Sequence, residues 1–258
     1  MLFVLLAGMF FLGCQKDDNN NNTTSVTAHS CGATNVHNPN LTYGTLKDID
    51  GNSYKTIQIG TQTWMAENLK TTKYRNSVSI PIITDNYQWG TNKTGACCSI
   101  ENNPEKDCPY GKLYNWYAAN NSNQICPDGW HVPTNTDWRT LISYIDPLFI
   151  PNPEPMTSSS IAGVKLKSIG TSYWLNAGAP ASEIGTNTTG FSGLPAGDRQ
   201  GVGTSFVGYL GTWWSGTVYR TNSDSSLWVC SLANYSKEIN FGSGKFSQIG
   251  YSIRCIKD

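Results

Sequence analysis

The chain has 258 residues, and its 18 Lys and Arg balance its 18 Asp and Glu. Only 14% of residues are charged, and no basic stripe with interleaved aromatics occurs, which argues against a nucleic-acid partner. Gly, Asn, Ser and Thr abound, as in an extracellular β-rich domain kept soluble by neutral polar side chains.

Residues 2–13 carry no charge and are almost wholly apolar. Such a run is too short to span a hydrocarbon layer about 30 Å thick, but it suits the apolar core of a secretory signal peptide. Gly13 then precedes Cys14, an arrangement that resembles a bacterial lipobox. It predicts cleavage before Cys14, a diacylglycerol on its thiol, and stable anchoring by two or more acyl chains. Met1 leads straight into Leu2 without a basic segment, so the true start of the precursor is expected upstream. Gln15, Lys16, Asp17 and Asp18 resemble the surface-export signal of Bacteroidota lipoproteins. The expected location is therefore the cell surface, lipid-anchored in the outer membrane.

Residues 14–40 read as the lipidated cysteine and a flexible stalk rich in Asn and Thr, too poor in apolar side chains to offset ordering entropy. Residues 41–258 are dense in aromatic and β-branched residues, show no fixed-period repeat and read as one domain. Asp50-Gly51-Asn52 lies between β-rich runs and predicts a hairpin turn. Asp48, Asp50 and Asn52 could mimic a calcium loop, but the helix-flanked twelve-residue frame with its distal Glu is missing. Trp64, Met65 and Leu69 are expected in the core. Residues 89–109 read as an irregular loop that Cys97 or Cys98 could close with Cys108, the pair Cys98 and Cys108 being the one carried forward. Leu113, Trp116 and Tyr117 share one face of a short helix predicted within 110–121.

The clearest helix signal follows. Thr134 is a natural N-cap, Asp137 completes a capping-box pattern, and Trp138, Leu141, Ile142 and Ile145 recur at helical spacing. Asp146-Pro147 ends the helix, because proline disfavours helical geometry in the residue before it. His131 has no ligand-spaced partner and is expected in a structural hydrogen bond. A helical turn is predicted at 161–168, and strands at 190–194, 205–210, 212–218, 226–233, 238–241 and 250–256. Early helices and late short strands predict an α+β domain with a mostly antiparallel sheet.

There are eight cysteines, and lipidation of Cys14 leaves an odd seven, so at least one is free or paired between chains. Secretion favours disulfides. No tight Cys pair with histidines at zinc spacing exists, and His29 and His37 fall in the stalk, so neither metal nor cofactor is expected.

The segments DIDGNSYKTIQIGTQTWMAENL, YGKLYNWYAA, CPDGWHVPTNTDW, GFSGLPAGDR, WWSGT and GYSIRCIKD together resemble the Fibrobacter succinogenes major paralogous domain family, from about residue 48 to the C-terminus. That resemblance implies a C-type-lectin-like fold of the formylglycine-generating-enzyme branch. Such domains have two helices, a twisted mostly antiparallel sheet, long loops and chain ends that meet. It also implies a disulfide between Cys126 and Cys255. It does not carry chemistry with it. The calcium-dependent sugar motif of C-type lectins is not matched, its nearest counterpart being Glu154-Pro155-Met156. Neither Cys230 nor Cys255 maps onto a redox or copper-binding pair.

The expected function is a non-catalytic binding or adhesion module for an extracellular glycan or protein. Its loop would lie within 190–215, with Asp198, Arg199, Tyr209 and Trp214 as candidate ligand contacts. A structural surface scaffold is the alternative. A glycan hydrolase is less favoured, since no motif selects a carboxylate pair and the domain as bounded holds one histidine.

Overall fold

Strand alternation explains most of the architecture. A computed structural model describes residues 33–150, 156–175, 180–218, 227–243 and 246–258. The chain runs through β1 (Gly44–Lys47), β2 (Ser53–Ile59), β3 (Gln62–Met65), α1 (Asn86–Thr91), β4 (Cys97–Cys98), α2 (Asp107–Tyr110), β5 (Leu113–Tyr114), α3 (Trp116–Ala119) and β6 (Trp130–His131). It continues through α4 (Asn135–Ile145), β7 (Met156–Ser159), α5 (Ala162–Leu166), β8 (Asp198–Gln200), β9 (Gly203–Ser205), β10 (Leu210–Val218), β11 (Leu227–Ala233), β12 (Ile239–Ser243) and β13 (Ile256–Lys257). One sheet has the order β1-β2-β3-β13-β6, a second β10-β11-β12-β7, and β4-β5 and β8-β9 form two small ladders. All these strand pairs are antiparallel. The domain is thus mixed α/β, with curled antiparallel sheets and few helices. The last strand inserts beside β3, where Ile256 pairs with Trp64. Among the described residues no helix is long and apolar enough to cross a membrane.

Side chains on a strand point alternately to its two faces. In β10 this sends the adjacent, fully buried Trp213 and Trp214 into different cores. Trp213 meets Phe191 at 5.7 Å and Trp138 of α4 at 6.4 Å. Trp214 meets Tyr251 at 4.8 Å and Trp116 at 5.4 Å. The second sheet is therefore covered on both faces. Helix α4 forms as its sequence requires. Thr134 Oγ1 accepts from Asp137 N at 3.2 Å, Asp137 Oδ2 accepts from Thr134 N at 2.8 Å, and Trp138, Leu141, Ile142 and Ile145 are buried.

The Asp-Gly hairpin forms between β1 and β2, with Gly51 at φ +82°. Its acids are occupied by protein donors. Asp48 accepts from Asp50 N, Asn52 N, Asn52 Nδ2 and Tyr54 Oη at 2.6–3.0 Å. Asp50 accepts from Thr72 N at 2.6 Å and Lys73 Nζ at 3.1 Å. The loop is a turn stabilised by side chains.

Other elements depart from the sequence reading. The helix predicted within 110–121 is split: Leu113–Tyr114 pairs with β4, and only Trp116–Ala119 is helical. Asn115 causes the break, because its side chain caps the shorter helix by accepting from Ala118 N at 3.0 Å. Residues 190–194 form no strand, since Gly190 and Ser192 sit at φ +75° and +57°. Residues 205–210 bend at Phe206 and Gly208, with φ +59° and +85°. Positive φ lies outside the β region. The N-terminal boundary also moves. Residues 34–40, read as stalk, pack on the domain: Val36 is buried, Val36 O accepts from Asn187 Nδ2 at 3.1 Å, and Thr34 O accepts from Tyr173 Oη at 2.7 Å.

Cys126 and Cys255 are bridged across a sequence separation of 129 residues. The proposed pairing of Cys98 with Cys108 does not form. Cys97, Cys98 and Cys230 are free and buried, whereas Cys108 is disulfide-bonded to neither Cys97 nor Cys98. As neighbours in β4, Cys97 and Cys98 point into separate cores. Burial pushes both thiols up to about 12, so they are unreactive at neutral pH. Cys14, the export signal at Gln15, Lys16, Asp17 and Asp18, and Glu154-Pro155 lie outside the described residues.

His131 ties the C-terminus to α4, with Nδ1 2.6 Å from Asp258 Oδ1 and Nε2 3.1 Å from Asp137 Oδ2. Partial burial lowers its pKa, but the hydrogen bonds and charges of Asp258 and Asp137 outweigh this and raise it. Its stabilisation is therefore complete below the unfolded imidazole value of about 6.5 and is lost as pH rises through the folded pKa. Between pH 6 and pH 8, Tm should fall more steeply for the native chain than for His131→Gln. Parallel Tm-against-pH curves would show that the contact contributes nothing.

Candidate functional site

Of the four candidate contacts, only Tyr209 is open to solvent. Trp214 is buried, and its Nε1 donates to Tyr114 O at 2.7 Å. Arg199 is also buried. It donates through Nη1 to Asn86 Oδ1 at 2.7 Å and through Nη2 to Thr84 O at 2.9 Å, and lies over the Trp89 ring. It thus fastens α1 to β8. Asp198 is buried beside it and accepts from Gln200 Nε2 at 3.2 Å. These three side chains serve packing, so the surface around Tyr209 comes from other residues.

That surface is built where the β9–β10 turn meets the end of β11. Phe206, Tyr209, Leu175 and Tyr235 are 52%, 47%, 51% and 68% exposed. Backbone hydrogen bonds hold the turn: Tyr209 N donates to Phe206 O at 2.9 Å, Gly208 N to Pro195 O at 2.9 Å, and Leu175 N to Gly208 O at 2.8 Å. Asn234 N donates to Tyr209 O at 2.9 Å, and Asn234 Nδ2 donates to Leu175 O. Gly208 is required, since a Cβ there would lie 2.7 Å from the Leu175 side chain. Phe206 holds a left-handed conformation that bulky residues avoid, a strain of order 1–3 kcal/mol. The turn therefore presents a ring where glycine would fit more easily.

A second constellation lies inside. Arg254, just before β13, is fully buried and stacks on Phe191 at 4.1 Å. It donates through Nε and Nη2 to Asn68 Oδ1 at 3.2 and 2.9 Å, through Nη1 to Phe191 O, and through Nη2 to Ser192 O at 3.2 Å. Asn68 Oδ1 also accepts from Trp213 Nε1 at 2.9 Å. Burial pushes the Arg254 pKa down to about 9, opposed by the negative charge of Glu67. Beside this group, Ser192 Oγ lies 2.9 Å from His37 Nδ1, and His37 Nε2 lies 3.5 Å from Glu67 Oε1.

A serine, a histidine and a glutamate in that order raise the question of a catalytic triad. The surroundings answer against it. Ser192 is fully buried, its Oγ accepts from Asn187 Nδ2 at 2.9 Å, and it donates to Gly190 O at 3.1 Å. The nearby N–H groups that could hold an oxyanion are occupied: Ser192 N donates to Asn187 Oδ1 at 2.9 Å and Gly193 N to Leu166 O at 2.7 Å. The arrangement locks residues around His37 onto the domain, with Ser192 Oγ and the neighbouring N–H groups already engaged.

A model of the Fibrobacter succinogenes major domain matches residues 57–257. The chain belongs to that family. No curated protein and no solved structure matches it. In this Fibrobacter succinogenes major domain, four of the six quoted motif segments meet in the interior: Glu67 and Asn68, Phe191 and Ser192, and Trp213 surround the buried guanidinium of Arg254. The segments by which the domain is recognised therefore specify its packing. The exposed rings lie on the turn between two of those segments and at the end of β11.

Sequence reasoning missed His37, Phe206, Tyr235 and Leu175. The Gly-flanked SFVGYLG stretch carried a signal, since an aromatic ring in a glycine-rich turn has little core to enter. His37 carried none, because its partner Ser192 is 155 residues away.

Proposed function

We propose that this domain is a non-catalytic binding or adhesion module for an extracellular glycan or protein, displayed on the cell surface through a lipid on Cys14 of an outer-membrane lipoprotein. The observation that carries the reading is the set of solvent-exposed rings, Phe206 and Tyr209 on a turn fixed by backbone hydrogen bonds and Tyr235 just after β11. Rigid loops present contacts at low entropic cost, and aromatic rings are the side chains most often found at binding hot spots. The finer fold assignment, C-type-lectin-like, agrees with this use, because such folds carry variable loops on a stable frame. The burial of Ser192 and the occupied N–H groups beside it favour binding over hydrolysis.

Adhesion of cells expressing the full chain tests the proposal. Such cells should incorporate palmitate at position 14 and adhere to wells coated with extracellular polysaccharide or protein. Phe206→Gly with Tyr209→Ser should reduce adhesion at least tenfold while palmitate labelling and surface protease sensitivity stay unchanged. Adhesion that ignores both rings, or a chain without label, would overturn it.

A further inference from the structure

We infer that the ligand is an uncharged glycan, bound without a divalent cation; this rests on the binding-module reading above. Three features of the same surface lead there. The first is charge. Residues 202–211 and 232–236, which supply the turn and the end of β11, contain no ionisable side chain except tyrosine. Just beyond Tyr235 lie the exposed Lys237 and the partly buried Glu238, of opposite sign, so a polyanion or an acidic or basic peptide finds no net charge of one sign to pair with. Calcium, which takes hard oxygen ligands, finds no carboxylate in either segment. Asp198, opposite Ser205 in the β8–β9 ladder, is buried below.

The second is the rings themselves. Phe206, Tyr209 and Tyr235 make no ring–ring contact among the described residues, so their exposed faces are not consumed by one another. The C–H faces of pyranose rings stack on such surfaces through dispersion and weak electrostatic attraction, with no charge on either side. A stable protein interface needs about 800 Å² per partner, with its anchors packed in pockets. Separate rings on two neighbouring turns fit a sugar chain better than a protein face.

The third is Asn234. Its backbone is bonded to Tyr209 and its Nδ2 to Leu175 O, but its Oδ1 is buried and has no hydrogen-bond partner among the described residues. An orphaned acceptor in a native structure calls for an explanation. The buried Oδ1 meets a sugar hydroxyl only if the Asn234 side chain turns outward, and the hydroxyls that remain stay in water.

The test uses the purified full chain in detergent, passed over immobilised neutral polysaccharides (glucan, mannan, xylan, galactan), over the polyanions polygalacturonate and heparin, and over immobilised extracellular-matrix protein, each with calcium and with EDTA. Retention on at least one neutral matrix is expected, unchanged by added calcium. Phe206→Gly and Tyr235→Ser should each weaken it five- to tenfold. Phe206→Gly relieves backbone strain, so it keeps the fold, and a Tm no lower than that of the native chain verifies this. Retention by polyanions alone, loss in EDTA, or indifference to the rings overturns the inference. Ring-dependent capture of a protein with no polysaccharide retained also overturns it, but leaves the binding-module reading standing. No ring-dependent retention of anything removes both.

Discussion

Replacing Arg254 with methionine is expected to lower the unfolding free energy by about 3–5 kcal/mol, the cost of breaking a buried charged network by removing one partner. Methionine matches much of the apolar stem and can still pack against Phe191 and Trp213. What it cannot do is donate. Asn68 Oδ1, Phe191 O and Ser192 O would lose the guanidinium at once, and Glu67 would lose a favourable nearby charge. The segment at stake is the one with Ser192 at φ +57°, which no sheet ladder supports over residues 190–192. Its conformation depends on the fork of donors. Arg254→Lys should therefore recover little, because one ammonium cannot reproduce a planar fork reaching three acceptors. Urea unfolding at pH 7 measures both variants, with the m-value checking that the unfolded state is unchanged. A loss below about 1 kcal/mol for Arg254→Met would place the network within the range of an ordinary hydrogen bond.

The same network shows what could and could not be read from the residues. Helix α4 was legible because its cap, its apolar spacing and its proline stop are local and agree. Strands β10, β11 and β12 were legible because β-branched and aromatic runs bounded by turn residues have few other uses. The paired Trp213 and Trp214 were harder. One of them looked available to a ligand, because the second sheet's being covered on both faces depends on Tyr251 and Trp116, which arrive from elsewhere in the chain. The segment 190–194 misled for a different reason. Its composition suits a strand, and the positive φ of Ser192 comes from contacts to Asn187 and Arg254, one of them 62 residues away. The candidate site was half legible. The turn that carries Tyr209 was identified, but Asp198 and Arg199 in the same stretch point inward. Sequence polarity cannot distinguish a buried arginine bonded through its terminal nitrogens from one that faces solvent.

Removing the Cys126–Cys255 bridge, with both residues changed to alanine, is expected to cost about 5 kcal/mol if the unfolded chain behaves as a free loop. The bridge closes 129 residues of sequence separation, so it removes much of the freedom of the unfolded chain. In the folded state it joins the segment before β6 to the residue before β13, where the last strand enters the first sheet between β3 and β6. Arg75 bonds the same segment, donating to Cys126 O at 3.0 Å, Pro127 O at 2.8 Å and Trp130 O at 2.6 Å. The native geometry there should therefore survive loss of the sulfurs, and the effect should fall on the unfolded state. Two readouts separate the possibilities. If the entropic account holds, the double variant keeps the near-ultraviolet spectrum of the native chain, unfolds at lower urea and shows a larger m-value, because its unfolded state is more expanded. If the loss comes instead from strain or a cavity in the native state, the m-value stays constant and the near-ultraviolet spectrum changes. Cys230→Ala serves as the control. It removes a buried thiol of similar size that closes no loop, so it should leave the m-value unchanged.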